Sequence, residues 1–306
     1  MIQYLPHKDI NFTLWDACIL QSHNPLLYGV SWYLNEVCDN KWDALILGNY
    51  EAVMPLCYNR KWGLKYIYPP LFAQQLGVFS KQKISSYEID DFLNHIPTKF
   101  RYVEMCVPLT NASEVIVESC VQNTNIVLSL NSSYTDLFQN YSTNLKRNLK
   151  KVNTAKLVFA KEVNLTDVIE LFKNFKGLEY PDMGSKQYET LLKLNEAAIQ
   201  HKQSWCVGVR DSASNELLAG ALFMVVKQRI IFLFSGVSAK GKQERAMFYL
   251  IDQMIQLHAD KDIVLDFEGS NNTELARFYL GFGSREEKYG KIKINRLPLA
   301  LKWLKS

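Results

Sequence analysis

The sequence predicts a mixed α/β (α+β) protein of two domains, each a mostly antiparallel sheet flanked by helices. Three observations predict it. The chain has 306 residues, 48% hydrophobic and 22% charged, an ordinary globular balance long enough for two cores. Short runs rich in β-branched and aromatic residues come in pairs joined by polar turns, which suits antiparallel hairpins. Segments with apolar residues three and four apart stand between those pairs, adding crossover helices and excluding an all-parallel sheet.

The elements follow in order. Two helical segments lie within 14–37, separated by a turn after Pro25. Ala44–Gly48 and Ala52–Leu56 form a hairpin about Asn49-Tyr50-Glu51. Lys65–Tyr68 is a strand stopped by Pro69-Pro70. Ile84–Ile96 has helical spacing, and Tyr102–Val107 and Ile126–Leu130 read as strands. A second unit then begins, so the expected domains are 1–130 and 131–306. In the second, Asp136–Val152 reads as one helix with a basic end and Leu157–Phe159 as a strand. Leu165–Lys176 and Ser185–His201 are helices, followed by strands at Trp205–Val209, Ala219–Val226 and Ile230–Phe234. Glu244–Ala259 is an amphipathic helix. Ile263–Phe267 is a strand, Glu274–Leu280 a helix and Lys291–Asn295 the last strand.

Charge divides unevenly. Residues 1–130 carry 9 Lys+Arg against 12 Asp+Glu, leaving 26 against 19 for the remainder. The second domain is therefore the one expected to meet an anion; the plainer reading is a solvated basic face. Six cysteines include no C-x-x-C pair and no Cys/His zinc spacing. They read as buried thiols of a reducing compartment, as at Trp205-Cys206-Val207. The start lacks a signal-peptide pattern, and the longest apolar run, about Ala219 to Val226, is too short to span a bilayer. The expectation is a cytoplasmic protein with no membrane span, no DNA partner and no metal. No Walker loop or Rossmann fingerprint occurs, and the five histidines form no triad pattern.

Three segments carry a resemblance. Phe278-Tyr279-Leu280-Gly281-Phe282-Gly283 resembles the F-K-x-G-F-G segment of FemAB-type transferases, with Tyr279 at the family's lysine. Asp266-Phe267-Glu268-Gly269-Ser270 is similar to the D-x-x-G strand end that precedes it. Tyr141 to Lys151 looks like the basic helix that opens the second half of FemAB-like proteins. The chain thus resembles the GNAT superfamily, specifically its tandem, FemAB-like acyltransferases. The resemblance implies transfer of an acyl or aminoacyl group to an amine from an activated donor, acyl-CoA or charged tRNA, with no permanently bound cofactor. The alternative is a non-catalytic protein of the same fold that binds an acyl carrier, a cell-wall precursor or RNA.

Candidate site residues follow. Asp266 and Glu268 are two apart on a strand and so face one side. Acyl transfer to an amine needs a base, and a carboxylate of raised pKa would serve. Tyr279 resembles the tyrosine that GNAT enzymes often use to protonate the leaving group, although it stands nearer to Gly281 than the family's spacing; its plainer reading is a packed aromatic. The turn containing Ser238, Lys240, Gly241, Lys242 and Arg245 precedes a helix where the GNAT pyrophosphate loop would fall, with different glycine spacing. Its N–H groups and cations would hold a phosphate, or else form a solvated turn. Arg147, in the cluster Lys146-Arg147…Lys150-Lys151, is a substrate contact or a helix C-terminal cation. Arg277 would pair with Asp266 or bind phosphate. Tyr68 and Gln74, with Trp62, Tyr66 and Phe72 around Pro69-Pro70, would line an acceptor groove or else pack as core.

Overall fold

A computed structural model describes residues 1–108, 120–181, 183–269 and 272–298, apart from the side chains of Ser86, Pro108 and Leu178. The chain divides into two compact units. One is Met1–Thr124 with the segment from Lys288 onward, the other Asn125–Glu287. The division falls six residues before the expected boundary at 130, and the last strand returns to the first unit.

In the first unit the strands are β1 (Ile2–Leu5), β2 (Trp42–Leu47), β3 (Ala52–Lys61), β4 (Leu64–Ile67), β5 (Phe79–Ser80), β6 (Phe100–Pro108) and the end of β13 (Arg285–Asn295). The sheet order is β1-β2-β3-β4-β6-β13, with β5 beside β3. All pairings are antiparallel except β4 with β6. Helices α1 (Phe12–Gln21), α2 (Ser31–Cys38) and α3 (Ser86–Asn94) accompany it. Asn11 caps α1 by accepting from the Leu14 N–H, and Ser85 with Glu88 closes a capping box on α3. The core gathers Leu45, Met54, Leu56, Ile67, Phe92, Phe100 and Val103.

In the second unit β7 (Val121–Ser129) enters the sheet. Next come α4 (Tyr134–Gln139), α5 (Thr143–Lys150), β8 (Leu157–Ala160), α6 (Leu165–Phe175) and α7 (Ser185–Gln200). Strands β9 (Ser204–Asp211), β10 (Leu217–Val226) and β11 (Arg229–Val237) follow, then α8 (Ala239–Gln243), α9 (Ala246–His258), β12 (Val264–Gly269) and α10 (Thr273–Leu280). The sheet order is β7-β12-β11-β10-β9-β8, with β11 and β12 the parallel pair. β10 is buried almost throughout because both of its faces are covered. Gly220 lies under α6, where a Cβ would fall 2.5 Å from Val168. Ala221 and Phe223 join Leu250 and Ile251 of α9 in the core.

Two expected helices change. The single helix over 136–152 is two, α4 and α5. Between them Tyr141 is buried, its hydroxyl donating to Asp252 at 3.0 Å, and Ser142 caps α5 by accepting from the Leu145 N–H. The Ser142 N–H is itself taken by the Gly281 carbonyl at 2.8 Å. The helix expected from Glu244 starts at Ala246, because Arg245 has φ +60° and interrupts the run from α8. Among the cysteines, Cys18, Cys38, Cys57 and Cys106 are buried, whereas Cys120 and Cys206 are half-buried. No helix among the described residues is long and apolar enough to cross a membrane.

Candidate active site

The site is built where β11 and β12 part. β11 continues to Val237 and β12 to Gly269, yet the two pair only from Arg229↔Val264 to Ile231↔Asp266. Each strand carries an irregularity just past that point. On β11 the register against β10 runs Phe223↔Phe232 then Leu222↔Phe234, leaving Leu233 as an extra residue. On β12 the register against β7 runs Asp266↔Val127 then Gly269↔Asn125, three steps against two. Such bulges bend a strand and re-aim its side chains. Glu268, inside the second bulge, has φ +58°, a left-handed conformation that costs a non-glycine residue about 1–3 kcal/mol.

The bulge corrects the expectation that Asp266 and Glu268 face one side by strand alternation. Asp266 is buried, 1% exposed, and ion-paired with Arg229 Nη1. Its Oδ1 accepts the Glu268 N–H at 2.8 Å. Burial raises its pKa, and the Arg229 charge and these hydrogen bonds oppose the rise. Both oxygens are thus engaged, which suits a structural anchor rather than a base. Arg229, not Arg277, is its cation. Glu268 is half-buried at the strand tip.

The structure places Tyr279 against Phe267, the residue before Glu268. Tyr279, on α10, stacks on Phe267 with centroids 4.7 Å apart and planes at 17°. Burial pushes its phenol well above the ordinary value, and the nearby Glu268 carboxylate and Tyr180 phenol push it further. It therefore stays protonated at neutral pH. On the opposite face of the sheet Phe234 meets Phe172 of α6 at 4.9 Å, and Phe172 touches Tyr180 and Tyr188. Beyond them a cleft of ≈ 490 Å³ between α6 and α7 is lined by Lys173, Gly177, Met183, Gly184, Tyr188 and Leu192.

The turn expected to hold a phosphate is engaged with itself. Ser238 Oγ accepts the Gly241 N–H at 2.9 Å. Lys240 pairs with Asp211 at 3.0 Å and Glu216 at 3.5 Å. Gly241 is needed for packing, because a Cβ there would lie 2.1 Å from the Leu218 carbonyl oxygen. Arg245 Nε donates to Asn148 Oδ1 at 3.2 Å, and Lys242 is exposed. Arg147 is exposed on α5 and Arg277 on α10. Ser270 lies outside the described residues.

The first-unit candidates form no common groove. Trp62 is 71% exposed at the β3–β4 turn. Tyr68 borders an enclosed void of ≈ 10 Å³ with Cys57, Ile67, Met105 and Cys106. Gln74 accepts a hydrogen bond from Gln75 at 2.7 Å. Sequence reasoning missed Arg229 because it follows Lys227-Gln228 and reads as a hairpin-turn cation. It missed the Phe172–Tyr180–Phe234 cluster because each ring looks like ordinary core; the wrong-phase run Ile230-Ile231-Phe232-Leu233-Phe234 was the available signal.

No family model and no curated protein matches the sequence. Solved structures do match. FemX shares 10% identity over 99% of this chain and 99% of its own, with a TM-score of 0.67. A tandem GNAT protein from the clavulanic acid biosynthesis pathway shares 8% over 97% and 99%, with a TM-score of 0.53. Saccharomyces cerevisiae N-myristoyltransferase with bound myristoyl-CoA shares 12% over 96% of this chain and 82% of its own, with a TM-score of 0.50. At such identities the likeness is one of fold. With two units each holding one parallel strand pair in an otherwise antiparallel sheet, this chain has the tandem GNAT-like fold found in FemX.

Proposed function

We propose that this protein is an acyltransferase, acting in the cytoplasm, that moves an acyl or aminoacyl group from an activated donor to an amine. The observation that carries the reading is the placement of Glu268 in the bulge of β12, next to the Phe267 on which Tyr279 stacks, at the point where β11 and β12 part. Strand backbone left without a ladder partner there offers N–H groups to a donor's carbonyl and linker. Glu268 takes the proton from the attacking neutral amine as the C–N bond forms. Tyr279 gives its proton to the leaving sulfur or ribose oxygen as the acyl bond breaks. The proton on Glu268 then returns to Tyr279, which closes the cycle. Most of the rate comes from positioning and from charge stabilisation in a partly dry site.

The fold neighbours named above include one solved with myristoyl-CoA, which supports a thioester as one donor class. The self-engaged turn around Gly241 favours a donor gripped less by diphosphate contacts than by the parted strands. A charged tRNA fits the exposed Arg147, Lys150 and Lys151 of the α5 end. The second reading, a non-catalytic binder, draws on the same self-engaged turn.

The test is thermal shift and turnover with acetyl-CoA, myristoyl-CoA and a mixed aminoacyl-tRNA pool, product amide being read by mass spectrometry. A melting shift with one donor and new amide with a primary amine supports the enzyme. A shift without amide supports the binder, and a steep loss of tRNA affinity with salt would mark phosphate contacts. No shift with any of the three sinks both donor proposals.

A further inference from the structure

We infer that Arg229 and Asp266 form a positioning pair that sets the backbone of Glu268; its catalytic consequence rests on the reading of Glu268 as the base. The argument is geometric. Asp266 is the last residue of β12 paired to β11. One carboxylate oxygen is held by Arg229 Nη1 and the other accepts the Glu268 N–H at 2.8 Å. A carboxylate is planar, so fixing one oxygen with a guanidinium orients the other. Arg229 is itself 18% exposed at its side chain, and its second terminal nitrogen stands 4.0 Å from Glu287, which limits its swing.

Glu268 needs such a hold. With φ +58° it occupies a region that glutamate seldom adopts, inside a bulge that interrupts the β12–β7 ladder. A left-handed residue persists where its surroundings over-determine it. The Asp266 carboxylate supplies that determination from two residues upstream. Asp266 works on Glu268 from within the protein and never meets substrate. A plain stabilising ion pair would connect β11 to β12 without reaching the Glu268 N–H; this one reaches it.

The experiment uses the full chain with Arg229→Met, and the double variant Arg229→Met/Asp266→Leu. The double variant replaces the pair with apolar groups of similar volume, which keeps the fold where a lone buried charge would disturb it. Backbone chemical shifts of Glu268, or a crystal structure, give its φ without any ligand. Loss of the left-handed conformation in both variants is expected. With whichever donor turns over in the assay above, kcat should fall about 100-fold and KM stay within about twofold. The acid limb of the pH profile should move, and Arg229→Lys should recover part of kcat. Glu268 keeping φ near +60° in the folded double variant would overturn the pair. A shifted Glu268 with full turnover would instead remove Glu268 from catalysis and leave the positioning intact.

Discussion

Each unit has one parallel strand pair, and the two pairs end differently. In the first unit β4 stops at Ile67, and the chain then runs into Pro69-Pro70. The space beyond is closed by Cys57, Tyr68, Met105 and Cys106 down to a void of ≈ 10 Å³, about room for one water. In the second unit β11 and β12 both continue after their last shared pair and diverge, each through a bulge. There an acid in a left-handed conformation follows the Phe267 on which a buried tyrosine stacks. One sheet plan therefore yields a closed end or a parted one. The difference lies in how the chain continues past each shared pair, not in the presence of the parallel pair.

Predictions that would break or sharpen this contrast run from the largest effect to the smallest. Glu268→Gln should lower turnover by about 100-fold or more while donor affinity changes within about twofold. Met105→Ala, beside the closed void, should leave turnover intact and destabilise the fold by about 2–4 kcal/mol in urea unfolding. Equal turnover in Glu268→Gln and wild type would end the contrast.

Gly241→Ala should destabilise by about 3 kcal/mol, because its Cβ would overlap the Leu218 carbonyl. Calorimetry reads this, and a stable variant with weakened donor binding would restore the phosphate role of that turn. Glu268→Gly should raise stability by about 1 kcal/mol, by relieving the left-handed conformation, while abolishing turnover.

The smallest effect concerns Asp252. Tyr134, Tyr141 and Gln256 donate to this buried carboxylate at 3.1, 3.0 and 2.9 Å. Burial raises its pKa and the hydrogen bonds oppose the rise. The folded state then binds the proton more tightly than the unfolded chain, so stability from this group falls as pH rises from the ordinary Asp value through the raised one. Asp252→Asn, which keeps one carbonyl oxygen for the tyrosines, should gain on wild type between about pH 4 and pH 7. Denaturant midpoints at the two pH values check this, and parallel curves would refute it.

Much of the fold was legible because it rests on local pattern. The β2–β3 hairpin followed from two apolar runs around Asn49-Tyr50-Glu51, and α6 and α7 from periodic apolar residues. The break at Tyr141 was not legible, since its cause is Asp252, 111 residues away. Of the site, the sequence singled out Glu268 and Tyr279, but they belong to a strand and a helix eleven positions apart, and spacing alone does not place one against the other. Arg229 was invisible for the opposite reason: nothing local distinguishes it from Lys227.

The amino-acid sequence by itself determined which segments are helix or strand and which residues bear titratable chemistry, because side-chain periodicity and turn residues act over a few positions. Tertiary structure decided the rest. It set which oxygen of Asp266 faces Arg229, that Gly241 lies under the Leu218 carbonyl, and that Glu268 turns left-handed at the parting strands. These depend on register between strands far apart in the chain, and a shift of one residue there moves a side chain to the other face.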